Sequence, residues 1–289
     1  VHALTPLHVG AGRGVGYIDL PIMREKVTGW PLVPGTAVKG VLRDHHKQAS
    51  TRPEWMDVAF GREGDEHANS GSLVFTDARI ICLPVRSLYG TFAWCTSPAV
   101  LRRLHRDLDA ARCADGLTLL PTDAIEPTKV HVTEQGTSLL ANEGKLFLED
   151  LDFEAEEDPQ AEVWATRIAE YVFRDDNTWQ AEFKARFTIL PDDAFSFLSE
   201  TATEVNARVR IEDEKKTVAS GHLWYEEALP TETILAGLVW CDRIFGKSGS
   251  DAPASLLDLL DEFCKESVRV QIGGNATTGK GQARLTFQS

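Results

Sequence analysis

The chain has 289 residues, of which 43% are hydrophobic and 26% are charged, and it carries a formal net charge of −14. A chain of this size can bury a sizeable core as one large domain or two small ones, and this composition excludes a wholly disordered protein. No apolar run approaches the roughly 20 residues that cross a bilayer, and the first residues alternate like a strand rather than an export signal, so we expect a cytoplasmic protein with no membrane partner.

The hydrophobic pattern predicts alternating strands and helices. Apolar residues at helical spacing predict helices over residues 35–47, 97–111, 160–174, 191–199, 231–245 and 254–266. Period-2 alternation and β-rich runs predict strands over residues 1–9, twice within 72–84, and over 146–154, 186–190, 203–211, 217–226, 268–272 and 282–287. Residues 118–145 have turn signals and are expected to be irregular.

This order of elements favours an α+β fold. A modified ferredoxin-like (RRM-like) sheet with helical additions fits it, as a single domain over residues 1–289. The runs 203–211 and 217–226 flank the charged turn EDEKK, which predicts a long β-hairpin, 203–229, inserted in that domain. An RRM-like antiparallel sheet leaves one face able to receive RNA.

The distribution of charge is more informative than its total. A net negative charge argues against unspecific binding of nucleic acid, because phosphates bind clustered cations. Residues 1–52 nevertheless carry seven bases and three acids, a local net charge of +4. Residues 149–158 carry seven acids and no base, and we expect this acidic run on an outer face, where solubility explains it. The five cysteines are scattered and never spaced C-x-x-C, which supports neither a disulfide framework nor a zinc site.

The helix predicted over 35–47 offers a candidate phosphate site. Its apolar stripe leaves Lys39 and Arg43 together on another face, four residues apart. Thr36, at its start, adds a hydroxyl beside backbone N–H groups that suit an anion.

The C-terminal loop GGNATTGKG is similar to a nucleotide-binding P-loop only superficially. Gly281 stands where Ser or Thr should bind Mg²⁺, and a strand follows instead of a helix, which excludes nucleotide hydrolysis. Two interpretations stay open: a simple hairpin turn, or a phosphate cradle. The residues of that cradle would be Gly273, Gly274, Thr277, Thr278 and Lys280.

The glycine-rich loop that follows the first strand ends near one acid, Asp19. Its glycines allow the backbone to approach a ligand closely, and Arg13, Arg24 and Lys26, which surround the acid in sequence, are candidates to bind RNA. An acid that caps its own turn is the commoner role for a single Asp in such a loop; catalysis is the alternative.

Two further residues are candidates for the same site. His8 precedes the loop and is either a second catalytic residue or a strand-end histidine bonded to backbone. Glu226 and Glu227 end the run HLWYEE, and they contribute either a catalytic carboxylate, for which Glu226 is the candidate, or an edge charge that discourages strand pairing.

Several separated blocks, in order, resemble the backbone subunit of the type III-B CRISPR Cmr effector complex, a RAMP-family ribonuclease. They are residues 4–43, SLYGTFAWCTSP at 87–98, TEVNARVRI at 203–211 with GHLWYEEALP at 221–230, and VQIGGNATTGKG at 270–281. The resemblance implies a RAMP palm on the RRM-like fold and a thumb that wedges into the guide–target duplex, for which 203–229 is the candidate. It also implies copies of the chain that stack in a filament along CRISPR RNA with other subunits. An equivalent segment of a fused type III effector fits equally.

The same resemblance makes Asp19 the residue needed to cleave complementary target RNA. One carboxylate cannot hold the two metals of in-line hydrolysis, so we expect Asp19 to bind a single divalent ion, Mg²⁺ or Mn²⁺, or to act as base on the RNA 2′-OH. The products would be a 2′,3′-cyclic phosphate and a 5′-OH. The competing hypothesis is a non-catalytic scaffold that grips CRISPR RNA through Lys39, Arg43 and the C-terminal loop.

Overall fold

A computed structural model describes residues 1–12, 14, 17–48, 55–62, 64, 68–117, 125–141, 144–211, 218–245, 263–264 and 267–288. Its helices are α1 (Gly35–Gln48), α2 (Met56–Phe60), α3 (Pro98–Ala110), α4 (Pro159–Val172), α5 (Asn177–Arg186) and α6 (Asp192–Thr201). Its strands are β1 (His2–Ala3), β2 (Leu32–Val33), β3 (Gly61–Arg62), β4 (Asn69–Ser70), β5 (Leu73–Phe75), β6 (Ala78–Arg86), β7 (Phe92–Thr96), β8 (Lys129–Val132), β9 (Lys145–Leu148), β10 (Leu151–Glu157), β11 (Phe187–Ile189), β12 (Glu204–Ile211), β13 (Val218–Ala228), β14 (Ile234–Ala236), β15 (Val239–Cys241), β16 (Val268–Gln271) and β17 (Gln282–Leu285).

Eleven of these strands form one mixed sheet. Its order is β16-β17-β1-β14-β6-β7-β11-β8-β10-β9, and β2 pairs with β6 beside that path. The pairs β7–β11 and β8–β10 are parallel, and the others are antiparallel. The chain termini meet in the sheet, because β1 lies between β17 and β14. This mixture of sheet and helices confirms the predicted α+β class.

Large apolar side chains fill the core between the sheet and its helices. Helix α3 contacts β6, and α4 and α5 contact the strands β7, β8 and β11. The fully buried aromatic residues are Trp94, Trp164, Phe173, Phe183, Phe187 and Phe195. The Trp94 and Phe183 rings lie 5.0 Å apart between centroids. Burial of such rings is the main favourable term in folding a domain of this size.

Two of the helices that the sequence predicted, α3 and α4, begin at a residue whose side chain caps the first turn. Ser97 caps α3 by accepting a hydrogen bond from the Val100 N–H, and Pro98 occupies the first turn. Asp158 caps α4 in the same way, accepting from the Gln160 N–H at 2.9 Å. These helices, α1 and α6 confirm four of the predicted spans to within two residues.

Other predictions of elements were wrong. Residues 231–245 form β14 and β15 instead of a helix, because Ile234 pairs with both Cys82 and His2 and the sheet overrides local periodicity. The irregular stretch 118–145 contains β8, and the single strand predicted over 146–154 is divided by a turn at 149–150 into the end of β9 and the start of β10. The first strand is regular only at His2–Ala3.

The sequence analysis did not predict two of the helices. Two other predicted elements lie partly outside the described residues. Helix α5, at 177–186, lacks a strong apolar stripe, and α2 is short. Of the helix predicted over 254–266, only Phe263 and Cys264 are described, and both are helical. The long hairpin is present as β12 and β13, although its charged turn lies outside the described residues. The extent of the domain, 1–289, and the thumb role of the hairpin stay predictions.

The acidic run lies on the surface, as expected. Asp152, Glu154 and Glu156 alternate along β10 and are exposed, while Phe153 between them is buried. Lys129 of β8 pairs with Glu156 at 2.9 Å. The run therefore covers an outer face of the sheet.

Candidate nucleic-acid interface

The segment that carries Asp19 lies along the outer edge of β13. The Asp19 and Leu20 N–H groups both donate to the Tyr225 carbonyl oxygen, at 3.2 and 3.0 Å, and the Glu227 N–H donates to the Leu20 carbonyl oxygen at 3.0 Å. Leu20 and Glu226 thus form a parallel bridge. Because β12 occupies the other edge of β13, this short segment completes the pairing at the base of the hairpin.

The side chain of Asp19 is exposed and is held by the same strand. Its Oδ2 accepts a hydrogen bond from the Tyr225 N–H at 2.8 Å, and its backbone carbonyl accepts from Gly14. Asp19 therefore caps the edge of the hairpin rather than only its own loop, and it presents a carboxylate to solvent beside that edge.

His8 lies on the other side of the glycine-rich loop and is buried. Its Nδ1 lies 2.6 Å from the Glu227 carbonyl oxygen. A carbonyl oxygen only accepts, so Nδ1 carries a proton and donates it in this hydrogen bond. Nε2 faces Gly10, where an added Cβ would lie 3.1 Å away. The backbone-bonded interpretation of His8 is thus the one that the geometry matches.

Glu226 is neither an exposed edge charge nor an unpaired carboxylate. It is 3% exposed, and its Oε1 lies 2.6 Å from Lys280 Nζ and 3.8 Å from Arg208. Burial by itself would raise the pKa of Glu226, but the Lys280 hydrogen bond and the charges of Lys280, His8 and Arg208 outweigh it, so the pKa is lowered.

The same ion pair changes the interpretation of Lys280. The sequence predicted Lys280 as a ligand of RNA phosphate, but its side chain is 9% exposed and already paired with Glu226. Lys280 therefore anchors the C-terminal loop to the hairpin.

Arg24 also has an internal partner. Its Nη2 donates to Glu227 Oε1 at 2.5 Å, and its Nη1 donates to the carbonyl oxygens of Gly29 and Ser199 at 2.8 and 3.0 Å. In place of the predicted contact with RNA, Arg24 has a structural role in this geometry, because three hydrogen bonds tie its planar guanidinium to other parts of the protein. Lys26 is exposed in the turn that follows, and Arg13 lies outside the described residues.

The rest of the C-terminal loop packs on His8. The Gly274 N–H donates to the His8 carbonyl oxygen at 2.9 Å, and Gly273 has a φ of +80° with no room for a Cβ. Gly273, Gly274, Thr277 and Thr278 are exposed. The loop is thus a rigid turn whose outer surface lies next to the hairpin base, a placement compatible with both interpretations.

Helix α1 places its polar residues as the sequence predicted, with one difference at its start. The Gly35 N–H donates a hydrogen bond to Asp77 Oδ1 at 2.8 Å, so a carboxylate of the protein itself occupies part of the expected anion site. Thr36 is exposed. Lys39 donates to the Leu73 carbonyl oxygen at 3.0 Å, and burial together with the Arg43 charge lowers its pKa.

The structure therefore brings Asp19, His8, Glu226 and the C-terminal loop to one place, the base of the β12–β13 hairpin. The sequence analysis did not single out Tyr225, and it named Glu227 only as a possible carboxylate or edge charge, not as a residue that joins these segments. Among the described residues, no three His, Cys, Asp or Glu side chains are grouped so that they could hold a metal ion. None of the helices that the structure describes is long and apolar enough to cross a membrane.

Comparison with known proteins gives the family. The family model of the RAMP superfamily matches residues 1–284. The chain belongs to the RAMP superfamily. It is 33% identical over 291 residues to the CRISPR system Cmr endoribonuclease Cmr4 of Pyrococcus furiosus, covering 100% of this chain and 94% of that protein. The resemblance to Cmr subunits of this superfamily is confirmed.

Solved structures agree with this RAMP assignment. Oligomeric Cmr4 from Pyrococcus furiosus superposes with a TM-score of 0.74 at 29% identity, covering 99% of this chain and 95% of that one. A chain of type III-B Cmr-beta bound to cognate target RNA gives a TM-score of 0.70 at 20% identity, covering 97% and 93%. The second likeness shows the fold alone.

Proposed function

We propose that this RAMP protein is a CRISPR RNA-binding backbone subunit of a type III effector complex, and that it cleaves complementary target RNA at regular intervals. Relatives named as Cmr endoribonuclease and as oligomeric Cmr4 support this proposal. The observation that carries the catalytic part is the exposed Asp19 carboxylate, fixed by the Tyr225 N–H at the base of the hairpin.

The proposed reaction is attack by an RNA 2′-OH on the adjacent phosphate. If the hairpin holds one target nucleotide out of the stack, its 2′-oxygen can be aligned with that phosphorus, and positioning alone removes several kcal/mol of the barrier. Asp19 takes the proton from the 2′-OH as the O2′–P bond forms. The P–O5′ bond breaks, and water protonates the leaving oxygen. The products are a 2′,3′-cyclic phosphate and a 5′-OH.

His8 and Glu226 have framework roles in this scheme. His8 Nδ1 donates to the hairpin backbone, and the Glu226 carboxylate is paired with Lys280 in the interior. Neither arrangement leaves the polar group aimed at solvent where RNA would pass. Glu226 would therefore fix the C-terminal loop instead of moving a proton.

Dependence on Mg²⁺ or Mn²⁺ is a separate proposal. The described residues build no three-ligand metal site, and Asp19 already uses one oxygen for Tyr225. Its carboxylate could contribute one ligand, and RNA and water would have to supply the rest, as is common for Mg²⁺. Removing divalent ions with EDTA and restoring each one tests this dependence.

RNA would be held by the surfaces beside the hairpin. We assign the guide backbone to the polar face of α1, with the exposed Thr36 and the half-buried Lys39 and Arg43, to Lys26, and to the outer surface of the loop at 273–278. The cations and hydroxyl groups on these surfaces suit phosphates without reading sequence.

A specific observation favours the scaffold as a second candidate. Asp19 Oδ2 is a hydrogen-bond acceptor for the Tyr225 N–H, and that contact gives the side chain a structural role that needs no catalysis. In the scaffold, the chain would bind CRISPR RNA through the same surfaces and cut nothing.

Replacing Asp19 with Asn separates the two candidates, because Asn keeps an acceptor for the Tyr225 N–H and removes the charge. Assembled complex carrying Asp19→Asn should still bind labelled complementary RNA but should cut it at least about 100-fold more slowly. Asp150→Asn, in the exposed acidic run, is the matched control and should cut normally. If Asp19→Asn cuts at the rate of the unmodified complex, the nuclease assignment to Asp19 is wrong.

A further inference from the structure

Glu227 holds the chain on both sides of the glycine-rich loop that ends at Asp19. Before the loop, its carbonyl oxygen accepts from His8 Nδ1 at 2.6 Å. After the loop, its N–H donates to the Leu20 carbonyl oxygen and its Oε2 accepts from the Ile22 N–H, both at 3.0 Å. One residue of β13 therefore closes the base of this loop.

The Glu227 side chain is buried and fully engaged. It is 2% exposed, and its Oε1 accepts from Arg24 Nη2 at 2.5 Å and from Thr203 Oγ1 at 2.9 Å. Arg24 in turn bonds two backbone carbonyls, those of Gly29 and Ser199. A carboxylate with these donors on both oxygens is held in one orientation.

Glu227 lies close to the attachment point of Asp19. The Asp19 carboxylate accepts from the Tyr225 N–H, two residues away on the same strand, which is about 7 Å along it. Any shift of residues 20–24 against β13 must therefore move Asp19. A misplacement of about 1 Å can reduce a catalytic rate by about 100-fold.

We propose that Glu227, oriented by Arg24, is the positioning residue for Asp19, an inference that rests on the function proposed above. Glu227 acts through the segment 20–24 and does not contact RNA, because its carboxylate is buried and its oxygens are used. Arg24 belongs to the same device and is not a phosphate ligand.

The test uses Glu227→Gln in the assembled complex. Gln replaces one of the two oxygens with an amide N–H₂, so it can no longer accept from both Arg24 and Ile22, and the segment should loosen without losing volume. With saturating labelled complementary RNA, the single-turnover rate constant should fall by about tenfold to a hundredfold. The cleaved fraction at the end point should stay complete, and the Kd for RNA should stay within about twofold.

Two comparisons separate positioning from general stability. The double variant Asp19→Asn with Glu227→Gln should cut no more slowly than Asp19→Asn alone, because both changes act on one group. Asp158→Ala removes the side-chain cap of α4, a helix that packs on β8 and β11, and should leave the rate constant unchanged although it lowers stability. If Glu227→Gln does not assemble, Arg24→Lys and Thr203→Val, which each weaken one contact to Glu227, take its place with a smaller expected fall.

The outcomes are distinct. An unchanged rate constant in Glu227→Gln, or a lower cleaved fraction at an unchanged rate constant, overturns the positioning role while Asp19→Asn remains inactive. If Asp19→Asn itself cuts normally, the proposed nuclease function is wrong, and the positioning role fails with it. A slower rate at full end point and unchanged affinity supports the role.

Discussion

Glu226 and Lys280 form an ion pair of 2.6 Å across 54 residues of sequence, and both side chains are buried. The pair joins the penultimate residue of the C-terminal glycine loop to the base of the hairpin. Because His8 packs on the same loop and hydrogen-bonds to β13, the pair connects the end of the chain with its beginning at the candidate site.

Removing Lys280 should destabilise the protein strongly. Lys280→Met removes the hydrogen-bonded partner of the buried Glu226 carboxylate and leaves only Arg208 at 3.8 Å, and the loss of such a partner costs up to roughly 3–5 kcal/mol of unfolding free energy. Urea unfolding monitored by tryptophan fluorescence measures this loss. Lys26→Met, at an exposed turn, is the control and should change stability by less than about 0.5 kcal/mol. Adding Glu226→Gln to Lys280→Met should recover part of the loss, and no recovery would contradict the unpaired charge as its cause.

Stability should fall in acid because two glutamates have a lowered pKa in the fold. For Glu226, burial opposes the shift but the Lys280 hydrogen bond dominates; for Glu25, burial is again outweighed, by hydrogen bonds from Arg103 and Thr28. Below their ordinary pKa, near 4.5, the unfolded chain binds more protons than the native one. The contribution is therefore complete above that pH and is lost as pH falls through the native pKa.

The Lys280→Met variant provides the check on this pH dependence. Without its partner, the buried Glu226 is favoured in its neutral form, so the variant should lose less stability in acid than the unmodified protein. Urea unfolding at several pH values between about 3 and 7 should show the two curves converging as pH falls. If the two curves of unfolding free energy against pH run parallel, Glu226 is not a main contributor to the loss of stability in acid.

Two glycines of the C-terminal loop should respond differently to alanine. Gly273 and Gly279 have φ values of +80° and +83°, so each Ala carries a backbone cost of about 1 kcal/mol. At Gly273 the new Cβ would also lie 2.2 Å from the His8 carbonyl oxygen, whereas at Gly279 nothing lies within 4 Å. Gly273→Ala should therefore lower the Tm clearly more than Gly279→Ala, and equal losses would show that the loop does not pack on His8 as described.

Arg43 should contribute to RNA affinity through charge. Arg43→Ala should weaken binding of unrelated RNA sequences alike and reduce the slope of log Kd against log salt concentration by about one. Filter binding at several salt concentrations measures both effects. Arg112→Asn, at an exposed position after α3, is the control, and an Arg43→Ala slope equal to that of the control would contradict a phosphate contact.

Much of this fold could be predicted because its signals are local. Ser97 and Pro98 mark the start of α3, and apolar spacing marks α1 and α4; these helices begin where predicted because caps and amphipathic stripes depend on near neighbours. The strands β14 and β15 could not be predicted, since Ile234 becomes a strand residue only by pairing with Cys82 and His2 from distant segments.

The candidate site, like the fold, could be predicted only in part. The sequence by itself determined the α+β class, the RAMP resemblance, and the isolated acid at Asp19 beside a glycine-rich loop. Only the tertiary structure decided that Lys280 and Arg24 face Glu226 and Glu227 instead of solvent. The physical reason is that residue type and spacing encode charge and local backbone preference, whereas the partner of a buried charge depends on which distant segments fold against it.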